Sequence, residues 1–267
     1  MEIRFLGTGG ADWPDAPAHE GDFFRHHASI IINNTILLDP GPGIYEYART
    51  LPGVNMEGIT DIFVTHTHED HWSTDTLDSI LKNAKEKVRL FFHYSAKVNL
   101  NLSRETKWGK GLSRESLSKL ILCPMKRGGR AKAGNLTFLN LEANHIGEHG
   151  ERGSHYVITG ETETWFYGCD GGWFTTATWD VLRTLSFDGV ILDGTVGEDS
   201  GNFRIAGHNT LAMNKLLAGA MKEQGMLKPG TKLYLSHFGM TTYDRGTDIT
   251  ETVKQAGFLE ARDGKYA

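Results

Sequence analysis

The chain has 267 residues, of which 39% are apolar and 23% charged, and its formal net charge is −5. This composition is that of a folded globular protein and excludes a disordered or fibrous chain. No apolar stretch reaches the roughly 18 residues of a membrane-spanning helix, and two cysteines exclude a disulfide framework or a four-thiolate zinc site. Because no signal peptide is readable at the N-terminus, we expect a cytoplasmic protein. Its 12 histidines direct attention to metal chemistry.

The first part of the chain predicts short strands joined by turns. A strand over Ile3–Leu6 leads into a Gly-Thr-Gly-Gly sequence, and a loop without periodicity follows to about His27. A loop of this length in a compact domain is often functional. A hairpin is predicted for Ser29–Ile32 and Thr35–Asp39, because the pair Asn33-Asn34 between them tolerates left-handed turns.

Strands and helices alternate along the rest of the chain. A buried strand at Ile62–Thr65 is followed by a polar segment and then by an amphipathic helix, which is expected to begin at Ser73 or Thr74. Further strands are predicted at Val88–Phe92, Leu136–Leu141, His155–Thr159, Trp165–Cys169, Val190–Asp193 and Lys232–Ser236. Further helices are predicted at Ala177–Leu185, Asn209–Gln224 and Ile249–Gln255. This alternation favours a single layered α/β domain over residues 1–267.

One segment differs in composition from its surroundings. Between Lys97 and Lys132 the chain has ten basic residues and only two acidic ones, Glu105 and Glu115. We interpret residues 95–132 as a basic helical insertion. Such a charge run is usually a solvated face. The alternative is a positive rim that attracts an anionic substrate.

The strongest motif is His66-x-His68-x-Asp70-His71, which begins where a buried strand ends. Open α/β sheets bind their ligands at the carboxyl ends of strands. In an extended segment His66 and His68 point to the same side and can share one ion, and Asp70 and His71 then project toward a second position. Imidazole and carboxylate ligands suit Zn²⁺, Mn²⁺ or Fe. A solvated loop with chance histidines is the alternative interpretation.

Three more residues of ligand type occupy similar positions. His145 follows a predicted strand, and Asp170 and His237 each stand at the end of one. Each residue alone is more often an ordinary hydrogen-bonded side chain. Together with the motif they are candidate metal ligands, and Asp170 has the carboxylate needed to bridge two ions.

In this order, the motif and the three later residues resemble the metallo-β-lactamase superfamily. The resemblance extends from the Phe-Leu-Gly-Thr-Gly sequence at Phe5 to the Ser-His-Phe-Gly sequence that ends at Gly239. It implies an αββα sandwich with two divalent metal ions, Zn or Mn with Fe as an alternative, at one edge of the sheets. The implied ligands are His66, His68 and His145 for the first ion, Asp70, His71 and His237 for the second, and Asp170 between the two.

A further histidine narrows the resemblance to one branch of the superfamily. The sequence Gly207-His208-Asn209-Thr210, at the start of a predicted helix, is similar to the phosphodiesterase branch, which includes cyclic-phosphate phosphodiesterases of phosphonate breakdown and ribonuclease Z. The resemblance implies that His208 contacts the phosphate and helps to protonate the leaving group. Imidazole suits general-acid work near neutral pH. The alternative is an ordinary residue at a helix N-terminus.

The sequence also departs from that branch. The phosphonate-type enzymes carry a cysteine cluster that binds a structural zinc, whereas Ala11–His27 contains no cysteine. An accessory site rebuilt from His19, His26 and His27 is the alternative to its absence, and we expect absence with these histidines exposed. No long Gly-Pro-rich arm of the tRNA-binding kind is apparent, which makes a nucleic-acid partner an unfavoured alternative.

These features predict a binuclear metal-dependent hydrolase of a small cyclic or nucleotide-like phosphodiester. A hydroxide bridging the metals would attack phosphorus, with Asp70 and Asp170 orienting it and His208 serving the leaving oxygen. Trp13, Trp72 and Trp173 are candidates for aromatic walls, or for ordinary packing. The alternatives are a lactonase, thioesterase or β-lactamase-type hydrolase, and a non-catalytic module. We expect a small anionic substrate and no membrane partner, and a homodimer stays open.

Overall fold

The computed structural model describes residues 1–14, 23–105, 109–243 and 248–267, and its strands form two mixed β-sheets. The first sheet contains β1 (Ile3–Gly7), β2 (Ser29–Ile32), β3 (Ile36–Leu38), β4 (Asp61–Phe63), β5 (Val88–His93) and β6 (Leu120–Met125), in that order. The second sheet contains β7 (Arg130–Ala133), β8 (Leu136–Ile146), β9 (Arg152–Thr159), β10 (Thr164–Gly168), β11 (Phe187–Asp193), β12 (Leu227–Ser236) and β13 (Leu259–Glu260), also in chain order.

Six α-helices are present in the described part of the chain. They are α1 (Ile44–Ala48), α2 (Thr74–Asn83), α3 (Arg114–Lys119), α4 (Thr176–Leu182), α5 (Leu211–Glu223) and α6 (Thr250–Gln255). Short 3₁₀ turns lie at Met56–Gly58, Tyr94–Val98, Glu148–Gly150 and Phe203–Ala206. Within the described ranges, no helix has both the length and the apolar character needed to cross a membrane.

Apolar side chains form three layers that explain how these elements stack. A central layer packs Phe63 of the first sheet against Phe138 of the second, with ring centroids 3.9 Å apart. On one side, α1 and α2 cover the first sheet, and on the other, α4, α5 and α6 cover the second. The central strands of each sheet are therefore buried on both faces, which accounts for their continuous apolar sequences. The predicted αββα sandwich is confirmed.

Local signals in the sequence set several element boundaries as predicted. Ser73 is the N-cap of α2, and its side chain accepts a hydrogen bond from the backbone N–H of Thr76. The hairpin between β2 and β3 turns at Asn33 and Asn34, whose φ angles are 50° and 55°. Asparagine tolerates this left-handed conformation better than most residues.

The prediction of a helical insertion over residues 95–132 is wrong for much of that segment. Only α3 and one 3₁₀ turn are helical, whereas β6 extends the first sheet and β7 extends the second. A buried strand is identified from its continuous apolar run, but β6 is a short edge strand with basic residues on either side of it. Because it lies at the edge of the sheet, its Ile121 and Leu122 are exposed. Lys107 lies outside the described residues.

Strand direction brings distant residues to one edge of the sandwich. β10, β11 and β12 are parallel neighbours, so Asp170, Asp193 and His237 lie side by side at or just after their carboxyl ends. β8 is longer than predicted and contains His145 near its end, rather than ending before it. The backbone N–H of Ser154 donates to the carbonyl of Thr65 across 2.9 Å and joins the two sheets at this edge.

Candidate metal centre

The structure brings together all seven residues that the sequence predicts as metal ligands. Within each of two groups, one potential ligand atom from every residue lies within 4.8 Å of the others. The first group is His66, His68, His145 and Asp170, and the second is Asp70, His71 and His237. A third, overlapping group adds two residues outside those seven, and it consists of Asp170, Asp193, His208 and His237.

In the first group, three imidazoles converge. His68 Nδ1 lies 2.8 Å from His66 Nε2 and 3.1 Å from His145 Nε2. Asp170 Oδ2 lies 3.6 Å from His66 Nε2 and 3.4 Å from His145 Nε2. Ligand atoms that share a tetrahedral Zn²⁺ at a bond length of about 2.0–2.1 Å are about 3.3 Å apart, so these spacings suit one ion.

In the second group, a carboxylate and two imidazoles converge in the same way. His237 Nε2 lies 3.1 Å from both His71 Nε2 and Asp70 Oδ2, and the latter two atoms are 3.3 Å apart. Asp170 Oδ2 lies 3.5 Å from His71 Nε2 and 3.6 Å from His237 Nε2. The same carboxylate oxygen therefore faces both groups, which is the position of a bridging ligand.

In a neutral histidine, one ring nitrogen carries a proton and the other a lone pair. Here the ring nitrogen that points away from the centre donates a hydrogen bond, so the nitrogen that faces the centre carries the lone pair of the neutral ring. His71 Nδ1 donates to Asp39 Oδ2 over 3.0 Å, and His145 Nδ1 donates to the carbonyl of Gly207 over 3.2 Å. The Thr65 hydroxyl donates to the Asp39 carboxylate, so it accepts from His66 Nδ1 at 3.1 Å. Such outer partners commonly fix the tautomer of metal-ligating histidines.

His237 is held in the same manner by Thr195. The Thr195 hydroxyl lies 2.9 Å from Asp193 Oδ2, to which it donates, and 2.7 Å from His237 Nδ1, from which it accepts. His71 Nε2 and His237 Nε2 therefore both face the centre, 3.1 Å apart and next to two carboxylates. Burial lowers the pKa of both imidazoles, but the neighbouring aspartates outweigh burial and raise it. The two carboxylates therefore favour a cation at this position, which can be a proton or a metal ion. This set of imidazoles and carboxylates fits divalent metal ions.

Burial and charge act together on the ionisation of this centre. Burial lowers the pKa of the His66 imidazole well below its usual value, and the neighbouring His71 lowers it further. Burial raises the pKa of the Asp170 carboxyl, but His145 and His208 outweigh that effect and hold the pKa well below its usual range. A neutral histidine and an ionised aspartate are the forms that bind metal.

His208 stands beside the two groups, in contact with two carboxylates. Its Nδ1 lies 2.8 Å from Asp170 Oδ1 and 2.9 Å from Asp193 Oδ2. Burial lowers the pKa of His208, but Asp170 and Asp193 together raise it to about 11. The helix predicted from Asn209 begins at Leu211, so His208 belongs to the preceding loop.

A cleft of about 360 Å³ opens over the centre. Its floor contains His68, Asp70, His145, Asp170, His208 and His237. Its rim contains Asp12, Phe203 and Arg204. The Asp12 carboxylate accepts from the backbone N–H groups of Met240 and Thr241 at 2.7 and 2.9 Å, which ties the loop after β1 to the segment after β12. We call this space the metal-centre cleft.

Comparison with known proteins decides the family. The family model described as "Beta-lactamase superfamily domain" matches residues 34–238, which include every predicted ligand. The chain belongs to the β-lactamase superfamily. No curated protein matches the sequence.

Solved structures with the same fold have little sequence identity to this superfamily member. The metallo-β-lactamase fold protein YhfI from Bacillus subtilis has a TM-score of 0.70 and 14% identity, covering 100% of this chain and 98% of that chain. Yeast PDE1 has a TM-score of 0.71 and 13% identity, with 98% of each chain covered. The short form of human tRNase Z has a TM-score of 0.67 and 15% identity, covering 100% of this chain and 98% of that chain.

The three tryptophans predicted as aromatic walls have different surroundings. Trp72 is fully buried in the layer beneath α2, and its Nε1 donates to the carbonyl of Leu100, so the prediction of a wall is wrong for this residue. Its apolar ring packs in the core although it directly follows the ligand motif. Trp13 Nε1 donates to the carbonyl of Phe238, and Trp173 is 45% exposed.

The histidines considered for an accessory zinc site have other partners. His26 Nδ1 lies 2.9 Å from Asp263 Oδ2, and its ring stacks on Tyr47. His27 Nδ1 lies 3.3 Å from the carbonyl of Gly10. Both are buried, so the expectation that they are exposed is wrong, and neither joins a metal-binding group within the described ranges. His19 lies outside those ranges.

Three residues that support the centre were not found from the sequence. Asp39 follows β3 and Asp193 ends β11, and the strand-end position that indicated Asp170 would have indicated both. Thr195 carries no such signal, because threonines are common and its role depends on contacts with His237, which is distant in the chain.

Replacing Asp39 with asparagine is expected to weaken metal affinity by roughly 10–100-fold. The carboxylate accepts from His71 Nδ1, from the backbone N–H of Thr65 and from the Thr65 hydroxyl, and the neutral amide cannot replace all of these interactions. Competition with a chelator measures the affinity. Asp180→Asn, on the exposed face of α4, is the matched control and is expected to retain the wild-type affinity. Equal affinities for the two variants would contradict this role of Asp39.

Proposed function

We propose that this superfamily member is a phosphodiesterase that acts on a small cyclic or nucleotide-like phosphodiester with two bound divalent metal ions, Zn or Mn. The observation that carries the proposal is the position of His208 on the floor of the metal-centre cleft, beside the carboxylate of Asp170. An alkyl phosphodiester has a leaving oxygen that requires a proton and a negative charge that suits a cationic imidazole, and His208 stands where it could meet both needs.

The hydrogen bonds of His208 fit a proton donor. Because Asp170 and Asp193 both engage Nδ1, Nε2 is the nitrogen left for a substrate. Two carboxylates favour the imidazolium form, in which Nε2 carries a proton. A substrate oxygen that accepts from Nε2 would receive this proton as the ester bond breaks. Asp193 is a positioning residue in this account, since it orients the ring without touching the substrate.

The other residues around the centre would hold the metal ions and orient the attacking water. When bound, divalent ions would withdraw charge from the phosphoryl oxygens and lower the pKa of water. Asp70 and Asp170 would hold and orient that water through their carboxylate oxygens, and Asp70 would accept its proton. The proposed holders are His66, His68 and His145 for one ion, Asp70, His71 and His237 for the other, and Asp170 for both.

Replacing His208 with alanine is expected to lower kcat for a nucleoside 2′,3′-cyclic phosphate by about 10²–10⁴-fold, because the alkoxide leaving group of this substrate requires a proton. The metal content, measured by atomic emission on the same samples, is expected to stay at the wild-type value. His149→Ala is the matched control, because His149 is an exposed histidine on the turn between β8 and β9.

The outcome separates the proposed function from its main rival. A wild-type enzyme that hydrolyses p-nitrophenyl acetate or a simple lactone but not the phosphodiester would be a carbonyl-directed hydrolase. A His208→Ala variant that retains its metal and its full phosphodiesterase rate would contradict the role of His208.

A further inference from the structure

A second cleft, of about 420 Å³, lies beside the metal centre. Its walls come from the carboxyl ends of β5 and β6 and from the adjoining parts of β8 and β9. β8 connects the two clefts, since Glu142 lines the second cleft and His145, three residues later, lies in the metal centre. A Cβ on Gly153 of the cleft wall would lie 2.9 Å from the carbonyl oxygen of His145. The second cleft therefore adjoins the metal centre, and we call it the basic cleft.

The charges that line the basic cleft sum to about +2. Lys126, Arg127 and Arg152 are positive and Glu142 is negative. Arg127 and Arg152 each reach one oxygen of Glu142, at 2.5 and 2.7 Å. Within the described ranges, Lys126 forms no ion pair. The net charge of about +2 is complementary to a dianion, and a phosphate monoester carries close to two negative charges at neutral pH.

Backbone hydrogen bonds fix the segments that carry the cationic side chains. The turn after β6 is fixed to β8, because Gly128 N–H donates to the carbonyl of Asn140 at 2.8 Å and Asn140 N–H donates to the carbonyl of Gly129 at 2.9 Å. On the opposite wall, the Ser95 hydroxyl accepts from the backbone N–H of Arg152 at 3.0 Å. The backbone on both walls is therefore fixed before a ligand binds, which lowers the entropy cost of ordering it.

An aromatic ring completes the basic cleft. Tyr94 lines it, is 58% exposed, and lies against His93 with ring centroids 4.5 Å apart. His93 Nδ1 is in turn 2.7 Å from the Ser95 hydroxyl. An exposed tyrosine next to a positive groove is a platform on which a base can stack. The cleft volume is in the range of sites for small organic ligands.

We infer that the basic cleft binds a nucleoside monophosphate unit of the substrate, with its phosphate among Lys126, Arg127 and Arg152 and its base on Tyr94. This inference rests on the proposed function and specifies its substrate class. The substrate would be a short single-stranded oligonucleotide with the scissile diester at the metal centre and a neighbouring phosphorylated nucleotide in the basic cleft. Lys126 and Arg127, two of the basic residues between Lys97 and Lys132, would therefore contact the substrate.

The test measures binding of AMP, inorganic phosphate and adenosine to metal-depleted protein by titration calorimetry. We expect AMP to bind at least about tenfold more tightly than phosphate, because base stacking adds to the phosphate contact. Lys126→Glu is expected to weaken AMP binding by tenfold or more, and Tyr94→Ala to reduce it to the level of phosphate. Lys222→Glu on the exposed face of α5 is the matched control.

A second readout uses the metal-loaded enzyme. In Lys126→Glu, the ratio of kcat/KM for a 5′-phosphorylated dinucleotide to kcat/KM for bis(p-nitrophenyl) phosphate is expected to fall at least tenfold, and in Lys222→Glu it is expected to stay constant. Equal binding of AMP and phosphate, or AMP binding unchanged in Lys126→Glu, would overturn the inference. A wild-type enzyme inactive on both diesters would instead contradict the proposed function, and the AMP titration would still test the cleft.

Discussion

Replacing Asp170 with asparagine is expected to lower phosphodiester turnover on the order of a thousandfold or more. A single oxygen of this carboxylate lies within 3.4 to 3.6 Å of four imidazole nitrogens, two in each ligand group. Asparagine has nearly the same shape as aspartate but carries no charge. Two ions held by these groups would therefore lose the negatively charged ligand that they share. The measurement is kcat together with the metal content of each sample.

The design of this experiment separates a catalytic loss from unfolding. Asp180→Asn serves again as the exposed control and is expected to keep the wild-type rate. Because Asp170 is buried, thermal unfolding of each variant must accompany the kinetics. A folded Asp170→Asn variant that holds the wild-type amount of metal and turns over at a near wild-type rate would contradict a bridging role.

Removal of the metal ions with a chelator is expected to abolish hydrolysis and to lower the melting temperature on the order of 10 °C. Binding to the folded state stabilises a protein by about 4 kcal/mol when free metal exceeds its Kd a thousandfold. For a chain of this size each kcal/mol corresponds to about 2–4 °C. The carboxylates of Asp70 and Asp170, which face His71 Nε2 at 3.3 and 3.5 Å, would then lose the metal charge that they face.

Calorimetry of the same preparation before chelation, after chelation and after return of Mn²⁺ or Zn²⁺ checks both parts of this prediction. Activity and melting temperature are expected to recover together. A chelated protein that melts at the original temperature would show that the five imidazoles of the two groups and their carboxylates are stable without an ion. That result would contradict the structural argument for the metal centre.

The sequence predicts well which side chains of ligand type converge, because part of the signal is local. His66, His68, Asp70 and His71 lie within six residues, directly after a buried strand, so spacing alone indicates that they converge. His145, Asp170 and His237 needed a second rule, the position at strand ends, together with the resemblance to a known superfamily. Parallel pairing of β10, β11 and β12 is the physical reason why that rule works.

The supporting residues were harder to find because their roles depend on contacts between distant parts of the chain. Asp39 acts on His71 from 32 residues away, and Thr195 acts on His237 from 42 residues away. His237 itself has a φ of 61°, a left-handed conformation that no local pattern predicts. Such conformations cluster at functional sites, where the surrounding structure maintains them.

The basic segment shows why charge misleads the assignment of secondary structure. Basic side chains on and around β6 and β7 gave the appearance of a solvated helix, although both strands pair with the sheets. Strand pairing tolerates charge at a sheet edge, where the side chains reach water. The same pairing places Lys126 and Arg127 at the mouth of the basic cleft, so the error in structure concealed a candidate binding site.

The central claim is that this site hydrolyses phosphodiesters only when its two ligand groups hold divalent ions. The most direct test is a stepwise titration of metal-depleted protein with Mn²⁺ or Zn²⁺, with bis(p-nitrophenyl) phosphate hydrolysis followed at each addition. The account predicts no hydrolysis without metal and a rate that reaches its maximum at about two equivalents per chain. Hydrolysis by the metal-free protein, or full occupancy of the site without hydrolysis of this diester, would contradict it.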